Sequence, residues 1–528
     1  MKKILIIIAA AFMVINTACT KADFEDAYPD PSKISTSTVE KQFSGFITSN
    51  REYVLPAYWN YFVVLRTTLT RYTQAVGWVN TSNQYVPGAA GIDAYWGTYY
   101  TLLAQYREFE KIYKASSTED QADKRIYMIT ATIYLYDHTQ KMVDLHGDIP
   151  FSEAGMLSEN GGDYENSLPK YDNAEDIYTK MLDDLKGFAD ELNSISVNSA
   201  IQTGFVTQDV VNKGNLTKWK KYCNSLRLRM LNRVSGVSAF QSRVTAETAA
   251  IVGNPSNYPV ISDNAENVQF DVINQNSPIN SQGFQTGLED WDGNLAGKAM
   301  IDHMNTNTDP RLRIMFEEGA NSDSAVFLGL DPLMVSDAQT ALYNTGTLSI
   351  YNRSTLSRND YFPGELMNSA EVHFLLAEIH LRAGNDGAAK LAYNTGIAQS
   401  VENYYQIRTL SNDNTAGPVA PYTPAEVAAY LDMPAVKWDN AASTDAKLKL
   451  IATQKWIHFS VVQPYESWTE ARRMNAPALN FWNDNSNAQS LPPYRWYYGS
   501  SEPIYNTANY DAVRGNDNLT TKIFWDVN

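Results

Sequence analysis

Cysteine and charge are both scarce in this sequence. The 528 residues include 2 cysteines, so a disulfide scaffold is excluded. Charged residues make up 19% of the chain and hydrophobic residues 44%, whereas an average globular protein carries roughly 25% charged residues. Because disordered chains combine low hydrophobicity with dense charge, the composition predicts a folded protein.

Positive charge is scarcer than negative charge. The chain has 42 Lys and Arg against 59 Asp and Glu, a formal net charge of −17. A protein this acidic is a poor binder of phosphate backbones, so we expect no nucleic-acid partner. Aromatic residues are abundant, with 33 Tyr, 19 Phe and 11 Trp. Amphipathic rings suit surfaces that bind sugars or proteins, and they also line the edges of cores.

Long apolar runs are missing except at the N-terminus. Two lysines precede an apolar run from Ile4 to Ile15, and the small pair Thr17-Ala18 precedes Cys19. The run is too short to span a bilayer and is typical of a secretory signal peptide. We predict a signal peptide over residues 1–18 and, by similarity to a bacterial lipobox, lipidation of Cys19. The alternative is an ordinary secreted protein with an incidental cysteine.

Residues 19–38 are predicted to form a lipid-anchored tether. Pro29 and Pro31 remove backbone donors and disfavour helix at the residues before them. Two or three acyl chains on one cysteine would hold the protein durably at a membrane. The predicted membrane contact of this chain is therefore the lipid anchor.

Beyond the tether, helical periodicity occurs in two regions, residues 39–253 and 366–474. Val39–Thr73 and Leu216–Val234 are examples. The other parts, about residues 254–365, 405–445 and 475–528, are rich in Asn, Ser, Gly and Pro. Loops of this length are uncommon and usually functional. We predict an all-α protein: a tetratricopeptide-like right-handed superhelix of degenerate helix pairs, with a large loop-rich part facing the ligand.

Several sequence segments, taken together, are similar to motifs of one known family. NLTKWKKYCNSLRLR is the longest of them, and the segments run in order along the chain: Asp144–Phe151, Asn215–Arg229, Asp309–Leu312, Glu371–Glu378, Ile451–Ile457, Glu466–Arg473 and Asn518–Asp526. They resemble motifs of the SusD/RagB-like lipoproteins, in the second SusD-like subgroup. The resemblance covers essentially the whole chain and treats residues 39–528 as one SusD-like domain.

The resemblance implies a lipoprotein of the outer membrane that faces the exterior and contains four degenerate tetratricopeptide units. Such proteins sit on a SusC-like TonB-dependent transporter and deliver a glycan or another nutrient to it. They bind and do not catalyse. Two other functions stay open from the residues: a helical-repeat assembly or adhesion lipoprotein, and an extracellular glycosidase with two spaced carboxylates.

Family-matched charged residues fall on separate predicted helices: Arg227, Arg229, Arg233, Glu378, Glu470, Arg472 and Arg473. We interpret them as ion pairs between packed helices. An anion site is the alternative, although arginines two residues apart do not share a helix face.

The candidate ligand-binding residues are aromatic and amide side chains in predicted loops: Trp78, Asn80, Tyr85, Trp96 and Trp291. Flat rings can stack on sugar faces, and amides hydrogen-bond hydroxyl groups, as in most small-molecule sites. The alternative is that these rings fill space between the loops and the helices.

Metal ligands are sparse. None of the 6 histidines forms a His-x-x-x-His or Glu-x-x-His pair. The segment Asp290–Asn294 imitates the start of a calcium loop, but its glycine falls at the fourth position, not the sixth. We predict no cofactor and no metal, and we leave open an irregular structural calcium at this segment. No catalytic residue is predicted.

Overall fold

A computed structural model describes residues 37–486 and 489–528. The predicted signal peptide, Cys19 and the tether up to residue 36 lie outside these residues. Within the described part, no helix is long and apolar enough to cross a membrane.

Helices account for most of the first region. Those before residue 254 are α1 (Val39–Ser49), α2 (Leu69–Tyr72), α3 (Ala89–Ala115), α4 (Thr118–Asp123), α5 (Arg125–His146), α6 (Ala174–Glu191), α7 (Ser199–Gln208), α8 (Leu216–Arg233) and α9 (Gln241–Gly253). Side-chain oxygens accept backbone N–H groups at five of these N-termini, those of Thr38, Ser117, Asn173, Asn198 and Asn215. Such caps satisfy donors that have no partner inside the helix.

The rest of the chain after residue 254 contains shorter helices and one long pair. They are α10 (Phe284–Glu289), α11 (Lys298–Thr306), α12 (Leu312–Met315), α13 (Ser336–Tyr343), α14 (Ser369–Arg382), α15 (Asp386–Leu410), α16 (Pro424–Leu431), α17 (Thr444–Phe459), α18 (Pro464–Met474), α19 (Glu502–Tyr505) and α20 (Thr507–Tyr510). Strands are short and form three antiparallel pairs: β1 (Ile149–Pro150) with β2 (Tyr171–Asp172), β3 (Val268–Phe270) with β6 (Gly364–Met367), and β4 (Phe316–Glu317) with β5 (Ile350–Tyr351).

Helices that are close in sequence pack in pairs, most extensively α14 with α15. Gly384 has a φ of +77° in the turn between them, a conformation that glycine adopts without strain. At Gly396 a Cβ would lie 2.6 Å from the Phe374 ring, so only glycine permits this close approach. The prediction of an all-α, tetratricopeptide-like fold of helix pairs is confirmed.

Two local predictions need correction. Val39–Thr73 is not one continuous helix: α1 ends at Ser49, Pro56 lies in the following connection, and Trp59–Leu65 is π-helical. The loop-rich part predicted from residue 405 begins later, because α15 continues to Leu410. Short helices and strands also lie inside the regions predicted as loops, where no periodicity long enough to detect could develop.

Buried ion pairs join five helices at the centre of the fold. Arg229 on α8 donates to both carboxylate oxygens of Glu371 on α14, at 2.6 and 2.8 Å, and to Asp137 on α5 at 2.9 Å. Arg233, one turn further, pairs with Asp144 and with Glu466 on α18. The interpretation of the family-matched arginines as interhelix ion pairs is confirmed for these two residues.

A second set of pairs closes the network at α17 and α18. Arg473 donates to both oxygens of Glu378 at 2.7 and 2.6 Å, and to Glu470. Lys455 on α17 reaches the same Glu470 at 2.7 Å. Burial raises the pKa of Glu378, but the charge and hydrogen bonds of Arg473 outweigh burial and lower it below its usual value. The carboxylate therefore stays ionised inside the protein.

Replacing Arg229 should destabilise the fold strongly. In Arg229→Met the buried carboxylate of Glu371 loses its partner, and breaking a buried pair from one side costs about 3–5 kcal/mol. Denaturant unfolding followed by circular dichroism measures the loss. The double variant Arg229→Met/Glu371→Gln should recover part of it, because no unpaired charge remains at Glu371. An unfolding midpoint for the single variant equal to that of the wild type would contradict the structural role.

Candidate functional site

Exposed aromatic side chains converge where the π-helical segment meets the loop after α10. Trp291 is 83% exposed and Tyr58 39% exposed, and Phe62 lies half-buried between them. We call Tyr58, Phe62, Trp291 and the accompanying Arg66 the aromatic patch. Large apolar groups gathered at a surface mark interaction sites more often than single ones do.

Phe62 is the central ring of the aromatic patch and packs against both Tyr58 and Trp291. Tyr58 and Phe62 stack with their centroids 5.0 Å apart and their planes 14° apart. Trp291 meets Phe62 edge-on at 6.5 Å. The guanidinium of Arg66 lies 4.0 Å from the Phe62 centroid and 5.9 Å from that of Trp291. The patch thus offers ring faces to solvent together with a cation that donates hydrogen bonds.

The π-helical backbone sets the spacing of the patch. Between Trp59 and Leu65 the hydrogen bonds span five residues, and the N–H of Arg66 donates to the carbonyl of Tyr61 at 2.9 Å. Single π-helical turns are rare and occur often at functional sites. Trp59, also exposed, adds a further ring on the same segment.

Close packing of α10 fixes Trp291 against this segment. A Cβ on Gly287 would lie 2.9 Å from the Cβ of Tyr61, and Phe284 packs on the Tyr61 ring at 4.7 Å. At the end of α10, Glu289 accepts from the guanidinium of Arg358 at 2.8 Å. Trp291 itself has a φ of 57°, an unusual value for a bulky residue that the flanking contacts must maintain.

The structure buries three of the predicted site residues in one loop. The indole N–H of Trp78 donates to Gln84 at 2.9 Å, and the hydroxyl of Tyr85 donates to the carbonyl of Trp482 at 2.8 Å. The amide of Asn80 donates to the carbonyls of Pro332 and Met334. Their rings and amide join this loop to neighbouring loops, which matches the space-filling alternative.

Trp96 is buried in a different place. His146 meets its ring edge-on at 4.9 Å, and the Gly499 backbone lies so close that a Cβ there would be 2.5 Å from the indole. The five predicted site residues therefore occupy three separate environments, and Trp291 is the exposed one. Ligand contact remains a prediction for all five, and the geometry favours it at Trp291.

Sequence reasoning missed Tyr58, Phe62 and Arg66 as site residues. They belong to a segment interpreted as an ordinary amphipathic helix, in which aromatic residues are expected to face the core. The sequence feature that could have indicated them is the pair Tyr58 and Phe62, four residues apart and shortly after Pro56, which interrupts the helical pattern.

Metal binding finds little support in the described residues. No group of three or more His, Cys, Asp or Glu side chains there could hold a metal ion. Burial and then the charge of Arg495 lower the pKa of His146 to about 3, so this histidine is neutral at physiological pH. The irregular calcium at Asp290–Asn294 remains an untested prediction.

A large cleft of about 890 Å³ lies between α17, α18 and the C-terminal segment. Trp468 and Arg472 line it, with the guanidinium 3.6 Å from the ring centroid. Tyr494, 42% exposed, lies at the same cleft. This cleft is a second place where a ligand could contact an aromatic ring.

Comparison with known families agrees with the fold. A family model described as starch-binding and associating with the outer membrane matches residues 37–499. Because this range is most of the chain, the protein belongs to the SusD-like family, in its second group. The family is one of nutrient-binding, outer-membrane-associated proteins. A search of curated proteins gives no match.

Solved structures resemble the protein over nearly its full length. A chitin-binding protein shares 23% identity with a TM-score of 0.74, covering 92% of this chain and 100% of its own. A SusD-like protein from Bacteroidetes shares 20% identity with a TM-score of 0.73, covering 92% and 100%. A SusD homolog from Bacteroides fragilis shares 20% identity with a TM-score of 0.73, covering 93% and 100%. At these identities the similarity shows the fold.

Truncating Trp96 should lower stability far more than truncating Trp291. Trp96→Ala leaves a cavity among packed rings and should cost about 3–5 kcal/mol. Trp291→Ala removes an exposed ring and should change stability by no more than about 0.5 kcal/mol. Thermal and denaturant unfolding of both variants give the comparison. Equal destabilisation by the two substitutions would show that Trp291 is a packing residue.

Proposed function

We propose that this protein is a surface-exposed, lipid-anchored outer-membrane lipoprotein that binds a glycan or similar nutrient and delivers it to a SusC-like TonB-dependent transporter. The observation that carries the proposal is the exposed aromatic patch on a chain of the SusD-like family. Names of relatives support the ligand class: the family description mentions starch, and one solved relative is described as chitin-binding.

The aromatic patch suits a sugar. The apolar face of a pyranose ring can lie on an exposed indole, while the guanidinium of Arg66 donates hydrogen bonds to hydroxyl groups. The packing of α10 positions the backbone that carries Trp291 before a ligand arrives, and pre-organisation limits the entropy lost on binding.

Four glutamates of the buried ion-pair network are not available as a catalytic pair. Glu371, Glu378, Glu466 and Glu470 are buried and paired with arginine or lysine side chains. A glycosidase needs two carboxylates that flank a bound sugar, and these four are committed to holding helices together.

Truncation of Trp291 should weaken glycan binding without unfolding the protein. A glycan array that includes chitohexaose and maltohexaose identifies a ligand, and isothermal titration measures its affinity. Removing a stacked ring from a nucleobase costs about 1–3 kcal/mol. If sugar stacking is of similar strength, Trp291→Ala should lower affinity by several-fold to about a hundredfold, since about 1.4 kcal/mol corresponds to a factor of ten.

Tyr494→Ala serves as the matched control, because it removes an exposed ring at the large cleft and leaves the aromatic patch intact. Unchanged affinity in this control and reduced affinity in Trp291→Ala assign the ligand to the patch. The reverse result would move the site to the large cleft. Binding to no member of the array would contradict the glycan proposal.

The anchor is tested at Cys19. Cys19→Ala should abolish incorporation of labelled palmitate and release the protein from the membrane fraction, because the lipid is the proposed membrane attachment. Fractionation and palmitate labelling of cells that express each form provide the measurement. Cys223→Ala is the control cysteine, since Cys223 is buried in the fold. Retained labelling in Cys19→Ala would rule out this anchor.

A further inference from the structure

A polar cleft of about 450 Å³ opens beside the N-terminus of α8, away from the aromatic patch. Its lining includes amide side chains, two lysines and one aspartate. Binding sites for small molecules commonly measure about 300–1,000 Å³. We call this site the amide cleft and define it by Asn212, Lys213, Lys218, Asn264, Asn267 and Asp271.

The loop that carries Asn212 and Lys213 is held rigidly by Asp209. The carboxylate of Asp209 accepts the backbone N–H groups of Asn212 at 3.0 Å and Gly214 at 2.9 Å, and the indole N–H of Trp219 at 2.7 Å. The position of this wall of the cleft is thus fixed by the fold.

The opposite wall is anchored to the long helix pair. Asn264 donates to the carbonyl of Gln399 on α15 at 3.0 Å. Asn267 donates to Asn403 at 3.1 Å and accepts the N–H of Ser369 at 2.9 Å. Both walls are therefore fixed by hydrogen bonds before any ligand binds.

Asn212 is the unusual member of the amide cleft. Its side chain is 4% exposed, yet within residues 37–486 and 489–528 neither its Nδ2 nor its Oδ1 has a hydrogen-bond partner. A buried polar group without a partner costs about 1–3 kcal/mol. Both atoms are enclosed, so a ligand reaches them only when the side chain turns toward the cleft. A hydroxyl group, which both donates and accepts, could then satisfy either atom.

The charges at the amide cleft favour an anion. Lys213 and Lys218 form no ion pair with a carboxylate in the part of the chain that the structure describes. The neighbouring Lys221 is already paired with Glu266. Asp271 is the opposing charge in the lining, and it accepts from Gln269 at 2.8 Å. The N-terminus of α8 adds a partial positive charge at the same wall.

We infer that the amide cleft is a second saccharide site, which binds a sugar unit carrying an acidic substituent, a carboxylate or a sulfate. The anionic group lies between Lys213 and Lys218, and a hydroxyl of the same unit reaches Asn212. An inorganic anion alone would leave the amide-lined volume unfilled. The ligand class rests on the proposed glycan-binding function, while the site is separate from the aromatic patch.

Titrations with galacturonate, galactose 6-sulfate, neutral galactose and inorganic phosphate, followed by NMR, test the inference. At least one acidic sugar should bind more tightly than galactose. The double variant Lys213→Gln/Lys218→Gln should weaken that binding by about tenfold or more, as expected for lost charge-assisted hydrogen bonds. Lys220→Gln is the matched control, because its side chain leaves another face of the same helix.

Asn212→Leu separates a ligand contact from a structural one. The amide has no partner to lose, so the thermal midpoint should be unchanged or higher while affinity for the acidic sugar falls. Repeating the titration in Trp291→Ala shows whether the cleft acts independently of the aromatic patch. Binding that persists there supports the cleft even if the patch binds no glycan.

Several results would overturn the inference. Binding of neither acidic sugar would remove it, as would equal losses in the lysine double variant and in Lys220→Gln. Unchanged affinity in Asn212→Leu would exclude the hydroxyl contact. Phosphate that binds as tightly as the sugars, with the same dependence on the lysines, would show that the cleft recognises an anion only.

Discussion

The pairing of Arg229 with Glu371 and Asp137 is the constraint on which the rest of the structure depends. Each of these three charges sits on a different helix, and all are buried. A buried charge without a partner is far more costly than a paired one, so α5, α8 and α14 have to meet in one relative arrangement. Hydrophobic packing alone would tolerate small shifts between helices, whereas bidentate guanidinium–carboxylate bonds are directional. We therefore attribute the register of the helix pairs to this network.

The two proposed binding sites lie on loops that the ion-pair network does not constrain directly. Because the helices are held at the centre, the connections between them can be long without loosening the fold. The aromatic patch lies on such a connection, with α10 packed through Gly287 onto Tyr61. The amide cleft uses the same principle at α8, where Asp209 ties the preceding loop to Trp219. Both sites are loops positioned by a rigid frame, which is where binding residues usually occur.

Local sequence predicted the helices because periodicity and caps act over a few residues. Arg229 and Glu378 could each be interpreted as a member of an interhelix ion pair, since charges on packed helices must be compensated. Exposure of aromatic rings could not be predicted in the same way. Trp96 is covered by Gly499 and Trp78 is bound by Gln84, and the first contact joins residues far apart in sequence. The spacing of Tyr58 and Phe62 beside Pro56 could suggest a site, but the position of the π-helical turn that carries them depends on the packing of α10, which lies far away in sequence.

The two proposed sites differ in the physics of recognition. The aromatic patch offers ring faces to solvent and contributes mainly dispersion and burial of apolar area, which tolerates many neutral sugars. The amide cleft offers the amide of Asn212, which has no hydrogen-bond partner among the described residues, and two lysines that form no ion pair with them. These groups favour a ligand with a hydroxyl and an acidic group and disfavour one that lacks them, since the buried amide then stays unsatisfied. A glycan that contacted both sites would be held by stacking at the aromatic patch and selected by its acidic group at the amide cleft. Selectivity among nutrients would then arise at the cleft beside α8 and not at the exposed tryptophan.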